Sequence, residues 1–382
     1  MVTVAPQSWF SGYLAPLGMA HSGMQQELKP MQQLASKRGL EGRRPALGDI
    51  TNSESTHSHN DGNKAGGKPA LIRGMSCVPQ QHLAKQTFTD PSLIDSQMFH
   101  DKKRRDWVDV DAMNLDDPQA CSSYAMAIFQ HLRESEVTNR ANAAYLEHFQ
   151  TDVNSKMRAI LIDWLVEVAE EYKLCADTLY LTVNYIDRFL SLYPVQRSQL
   201  QLVGVVCMWI AAKYEEIYPP NVTDFCYITD NTYSKEQMVQ MEETILKRLS
   251  YELTVPTAKT FLRRLLQVCN PDELLHYLSN YLTELSLLDH STAMVFLPSE
   301  VAAASVYLAN LMLKRVPWDG TLRHYSGYCP SDINNCVCAL GQLHTVIAGN
   351  VQLASIREKY AHPRFQAVSR IAGVPGLSQI LA

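Results

Sequence analysis

The chain reads as all-α: two tandem bundles of about five helices each, preceded by a disordered leader with no core of its own. Three observations predict this. From Asn154 onward apolar residues recur three and four positions apart with only short polar breaks. Strand-like alternation is nearly absent. The early stretch ITNSESTHSHNDGNKAGGKPA is polar, glycine-rich and free of Phe, Trp and Tyr, so it buries too little apolar surface to offset chain entropy. The length of 382 residues suits two domains plus an extra segment, and a 46% hydrophobic content is enough to fill two cores.

The expected divisions are a leader over residues 1–105, a first bundle with its N-terminal helix over 118–254, and a second bundle over 255–382. No secondary structure is assigned to the leader, whose capacity is for short linear signals. Composition changes near Trp107. Asp117–Pro118 suits a helix start, an acceptor at the N-cap before a first-turn proline, and Tyr124, Ile128 and Leu132 follow at helical spacing. MRAILIDWLVEVAEEYKL is the longest pattern of the first bundle; TLYLTVNYIDRFLSLY, LQLVGVVCMWIAAKYEEI and SKEQMVQMEETILKRLSYEL come after it. Past Pro256 a second series runs TAKTFLRRLLQVC, DELLHYLSNYLTELSLLD, SEVAAASVYLANLMLKR and SDINNCVCALGQLHTVIAGNVQLASIREKY. VGVVCMWIAAKY and VAAASVYLANLM align without gaps, Val203 on Val301, Gly204 on Ala302, Trp209 on Tyr307, Ile210 on Leu308 and Ala211 on Ala309. The small residues suit a central bundle helix, although any buried helix favours them. The same register sets Lys213 on Leu311 and Glu242 on Leu340, so this pair of charges exists in the first half only.

The net charge of −5 hides an asymmetry: residues 1–105 carry +5 and the remainder −10. An acidic body argues against nucleic-acid binding. No apolar run reaches the ~20 residues of a membrane span, and the N-terminus lacks the charged start and clean apolar core of a secretion signal. Nine scattered cysteines, with Cys336 and Cys338 the only close pair and no C-x-x-C, read as free thiols of a reducing compartment. G-x-x-x-x-G-K-[ST], G-x-G-x-x-G, G-x-S-x-G and H-E-x-x-H are all missing, His57 and His59 sit in the leader, and Glu170/Glu171 and Glu215/Glu216 read as solvated helix ends. Neither an active site nor a metal or cofactor is expected.

One helix stands apart. Met157, Ile160, Leu161, Trp164, Leu165 and Val168 form a stripe that Ile162 and Val166 widen past an ordinary core face. Such a helix is either central or turns an exposed apolar face to a partner. MRAILIDWLVEVAEEYKL, with DTLYLTVNYIDRFLS, LQLVGV, KYEEIYPP and YITDNTYSKEQMVQME, closely resembles the cyclin box of A-type mitotic cyclins over roughly Pro118–Leu253; LVEVAEEY and IREKY look like the plant members. The resemblance implies two five-helix cyclin folds, no enzymatic activity, and binding to and activation of a cyclin-dependent kinase. By position it assigns Lys213 and Glu242 to the kinase contact, flanked by Tyr214, Glu215, Leu246 and Tyr251, with Tyr124 and Ile128 on the N-terminal helix. The bland alternative is an intramolecular salt bridge between two helices. It also assigns Met157, Ile160, Leu161 and Trp164 to a hydrophobic patch that docks R-x-L segments of substrates and inhibitors, Glu167 to the ligand's basic residue, and Arg197 and Gln201 to the groove wall.

In the leader, Arg44, Leu47, Ile50 and Asn52 have the form R-x-x-L-x-x-I-x-N and resemble a destruction box read by the anaphase-promoting ubiquitin ligase. Lys102, Lys103, Arg104 and Arg105 read as a nuclear import patch or a solvated linker, with Lys37–Arg38 and Arg43–Arg44 as another basic cluster. The expected location is the nucleus with a cytoplasmic pool. The chain contains no S-P or T-P dipeptide, and the tail AHPRFQAVSRIAGVPGLSQILA suggests no function. The competing classes are a two-repeat transcription factor that binds DNA and polymerase, which needs a basic surface, and a plain helical scaffold, which predicts neither the singular Lys/Glu pair nor a degradation signal.

Overall fold

The computed structural model describes residues 106–381. Among these the structure is helical with no strand, and no helix is long and apolar enough to cross a membrane. The first bundle is built from α1 (Ser122–Ser135), α2 (Ser155–Glu171), α3 (Ala176–Leu192), α4 (Leu200–Glu215), α5 (Val222–Ile228) and α6 (Lys235–Arg248). The second is built from α7 (Ala258–Cys269), α8 (Glu273–Leu285), α9 (His290–Val295), α10 (Pro298–Met312), α11 (Gly320–Ser326), α12 (Pro330–Ala348), α13 (Ser355–Ala361) and α14 (Leu377–Ile380). Both lie in one compact unit.

Local chemistry sets the boundaries. Asn154 caps α2 by accepting from Met157 N, and Asn221/Asp224, Ser234/Gln237 and Thr257/Thr260 form reciprocal capping boxes at α5, α6 and α7. α4 is buried from Leu200 through Ala212 and packs against α2, α3 and α6; α10 occupies the same central place among α7, α8 and α12. The repeat in the sequence is thus a repeat of central helices. Gly204 is required by close packing: a Cβ there would stand 2.7 Å from Leu161 Cδ1.

Three expected elements differ. The first helix begins at Ser122 rather than at Pro118, because Asp117 Oδ1 instead accepts from Gln119 N in a turn and Cys121 turns left-handed at φ 48°. The run ending in IREKY is two helices, broken between Ala348 and Ser355, where Asn350 Oδ1 accepts from Gln352 N and Leu353 N. The tail belongs to the core: Val368 and Leu377 are buried, and Asn334 donates to Leu381 O.

The two bundles are joined by buried polar bonds. Arg158 of α2 pairs with Asp187 at 2.6 and 2.7 Å and donates to Leu287 O at 2.9 Å. Asp163 accepts from Ser355 N and Oγ at 3.0 and 2.7 Å. Lys359 reaches Glu284 at 2.8 Å and Glu170 at 3.3 Å, and Arg364 also pairs with Glu170. Glu170 is therefore an inter-bundle anchor, and Glu216 is a cap on α3, accepting from Cys175 N at 2.7 Å and Thr178 Oγ1 at 2.6 Å. Neither is the freely solvated carboxylate expected from its place at a helix end.

Candidate functional site

α4 ends on Trp209-Ile-Ala-Ala-Lys213, which carries Lys213 one turn beyond Trp209, and its ammonium lies 3.7 Å from the indole ring centre. From there it pairs with Glu242 on α6. The lysine side chain is 37% exposed and the glutamate 16%. In this chain the pair is thus the intramolecular salt bridge between two helices that stood as the alternative reading, with the lysine the more exposed member. Tyr214 follows, exposed, with its hydroxyl 2.8 Å from Thr254 Oγ1. After α6 the chain turns left-handed through Ser250 and Tyr251, Tyr251 N donates to Leu246 O at 3.0 Å, and the Tyr251 ring is 64% exposed. Lys213, Tyr214, Glu242, Leu246 and Tyr251 thus share one end of the first bundle. Beside them Glu215 has its carboxyl pushed up by burial and further by Asp177, against the pull of Arg263. Tyr124 and Ile128 are also exposed, on the separate α1.

Sequence reasoning passed over Ile217 and Tyr218, among the most exposed large apolar side chains at 79% and 92%. The signal was present: KYEEIYPP puts two apolar residues past a helix end and before two prolines, where no periodicity buries them.

The apolar face of α2 is mostly internal. Leu161 is fully buried against Gly204, Met157 and Gln201 are also buried, and only Ile160, Trp164 and Glu167 stay part-exposed. The expected open stripe is therefore corrected to a narrow one. α13, from nearly 200 residues downstream, covers part of α2, and its Ser355 Oγ donates to Glu167 at 2.8 Å. Asp152 Oδ1 and Oδ2 hold Arg197 through Nε at 2.6 Å and the backbone N at 2.8 Å. Gln201 Nε2 is buried without a hydrogen-bond partner among the described residues. Arg44, Leu47, Ile50, Asn52 and Lys102–Arg105 lie outside the described residues.

Among the described residues one set of metal-ligand atoms converges, Cys175, Asp177 and Glu215, within 4.8 Å of one another. It is a poor ligand set: burial pushes the Cys175 thiol up to about 12, and Asp177 is engaged by Arg263 at 2.5 Å.

Two helical bundles of matching plan, one with a part-exposed charge pair, define a protein of two tandem helical domains. The family described as "Cyclin, N-terminal domain" matches residues 127–254, and "Cyclin, C-terminal domain" matches 256–373. The chain belongs to the cyclin family. Its similar relatives are A-type: Cyclin-A1-1 of Oryza sativa subsp. japonica is 51% identical over 264 residues, 67% of this chain and 52% of that one. G2/mitotic-specific cyclin-A of Hydra viridissima is 44% identical over 295 residues, 75% of this chain and 70% of that one. The chain spans about half the length of the first rice relatives that it matches. A viral cyclin from herpesvirus saimiri, solved by X-ray, shares the fold at a TM-score of 0.51 and 21% identity, over 56% of this chain and 96% of that one.

Proposed function

We propose that the chain is a non-catalytic regulatory subunit that binds and activates a cyclin-dependent kinase in cell-cycle progression, through S phase and G2/M. The observation that carries this reading is the Lys213–Glu242 pair, present in the first bundle alone and flanked by exposed tyrosines at 214 and 251. A kinase needs its helix-borne Glu paired to its strand Lys before phosphates align, and a partner that binds only that arrangement shifts the population toward it. Moving such an equilibrium from 1:99 to 99:1 takes about 5.5 kcal/mol of differential affinity. Removing one partner of a hydrogen-bonded charge pair at an interface costs roughly 2–5 kcal/mol, much of it the penalty of the charge left unpaired, so the apolar flank of Tyr214, Leu246 and Tyr251 has to supply a large share. The test is histone phosphorylation by a monomeric cyclin-dependent kinase mixed with the chain or with its Lys213→Ala/Glu242→Ala form. Activation by the first and not the second is the expected result. Activation by both would sink the interface, and activation by neither would sink the function and turn attention to DNA and polymerase.

The same reading gives the narrow groove of Ile160, Trp164, Glu167, Arg197 and Gln201 to R-x-L segments: a shallow apolar slot takes the Leu and Glu167 the Arg, with Arg197 and Gln201 in the wall. Trp164→Ala should slow phosphorylation of a substrate carrying R-x-L and spare a short peptide; equal losses would count against it. In the leader, Arg44→Ala with Leu47→Ala should prolong the chain through mitosis if the ubiquitin ligase reads a destruction box there. Replacing Lys102–Arg105 should move the chain from nucleus to cytoplasm, and an unchanged distribution would discard the import patch.

A further inference from the structure

The segment before α1 and α1 itself rest on the second bundle, although by sequence they precede the first. Trp107 stacks on His324 of α11 with ring centres 3.7 Å apart and meets the edge of Tyr325. Val108 N donates to Thr321 Oγ1 at 3.1 Å and Val110 N to Tyr325 Oη at 3.0 Å. Both carboxylate oxygens of Asp111 accept from Arg264 Nη2 of α7 at 2.7 Å, in an ion pair whose side chains are only 12% and 16% exposed. From this strap Asn114 O accepts from Ser122 Oγ, which ties it to the first turn of α1. α1 then lays Phe129 edge-on against Phe261 of α7, and Arg133 Nη1 donates to Ser299 Oγ of α10 at 2.6 Å. Glu136 just past α1 accepts from Ser299 N and Oγ.

An isolated 14-residue helix is marginal in water, so its order comes from what it docks on. Here the dock is α7, α10 and α11, and the mostly buried Arg264–Asp111 pair fixes its register, because a buried carboxylate left without its cation is costly. With Ala125 and Phe129 facing inward, the exposed side of α1 is the one that carries Tyr124 and Ile128.

We infer that the strap from Trp107 to Leu115, held by Arg264 and Tyr325, is a latch by which the second bundle sets the pose of α1 and so the strength of kinase binding. The kinase half of this inference rests on the function proposed above. Arg264, Asp111 and Tyr325 are positioning residues, since they act through α1. The second bundle needs no Lys/Glu pair of its own to influence the partner: it holds one arm of the binding face while the first bundle supplies the other.

The experiment uses the full chain and two readouts, amide hydrogen exchange and affinity for the monomeric kinase. Asp111→Asn keeps the shape and removes the charge. It should speed exchange across α1 by about ten-fold or more while leaving the central helix α10 protected, and weaken kinase binding roughly five- to ten-fold. Arg264→Lys, which leaves one charged nitrogen for the two oxygens that now share a single Nη2, should change both readouts less than Asp111→Asn does. Trp107→Ala should move both readouts in the direction of Asp111→Asn. Unchanged α1 exchange in Asp111→Asn would overturn the latch, and faster α1 exchange with unaltered affinity would overturn its link to the kinase. If the unchanged chain binds no kinase, the proposed function falls and the affinity half with it, while the exchange arm still decides the latch.

Discussion

The central helices α4 and α10 solve the same packing problem and end differently. Both are buried along almost their whole length, and both carry small residues where neighbours approach. At the last turn α4 offers Lys213, paired with Glu242 at the surface. The equivalent positions of the second bundle are Leu311, half-buried, and Leu340, which is 1% exposed. The fold itself therefore does not require a charge pair at this corner; apolar side chains close it well. Replacing that apolar closure by a part-exposed ion pair adds little stability, since such pairs contribute about 0–1 kcal/mol. With so little structural return, this pair is the feature that the proposed function gives to a partner.

The sharpest way to break this contrast is to truncate each member. Leu340→Ala should cost about 2–5 kcal/mol, the range for deleting a buried leucine. Glu242→Ala should cost less than about 1 kcal/mol and leave the urea midpoint nearly unmoved, while the proposed function expects it to weaken kinase activation. Equal stability losses in urea denaturation would mean that the first-bundle pair is structural after all.

A smaller effect separates the same two helices in their second turn, where Gly204 of α4 corresponds to Ala302 of α10. Gly204→Ala gains about 1 kcal/mol of helix propensity. It also forces a Cβ to 2.7 Å from the buried Leu161 side chain, an overpacking that costs about 1–3 kcal/mol. The net expectation is a loss of about 1 kcal/mol, readable as a lower urea midpoint. A gain would show that Leu161 yields, and that the groove beside Ile160 and Trp164 is softer than its burial suggests.

Much of this arrangement was legible in the sequence where periodicity is long. α2, α3, α4, α6, α7, α8 and α10 each run 12 or more residues, and all were expected. α5, α9 and α11 run six or seven residues, fewer than two turns, and too few for a stripe to repeat. The offset between Lys213 and Leu311 marked the corner where the two bundles differ, a surface ion pair in one and leucines in the other. What could not be read was tertiary: an apolar stripe on α2 does not tell which distant segment covers it, and Ser355 and α13 arrive from the other bundle. The same holds for Asp111 and Arg264, 153 positions apart.

The smallest expected difference is in acid response. His344 of α12 is buried, corresponds to Leu246 of α6, and has its pKa lowered by burial, partly offset by its bond to Ile371 O. Its Nδ1 has no partner, and the ring meets the edge of Tyr281 from α8. A second proton on the ring would therefore sit unpaired in the core. Because the folded pKa lies below the ordinary 6.5, the unfolded chain binds more protons in that range. The contribution to stability is complete above about pH 6.5 and declines as pH falls through that value toward the lowered one. His276 of α8, also shifted down by burial, adds in the same direction. His344→Leu gives the second bundle the residue the first already has, so its urea midpoint should fall less between pH 7.5 and pH 5.5 than that of the unchanged chain. Identical falls in the two would show that His344 takes up its proton in the folded state without penalty, and that the acid response of this molecule comes from its carboxylates.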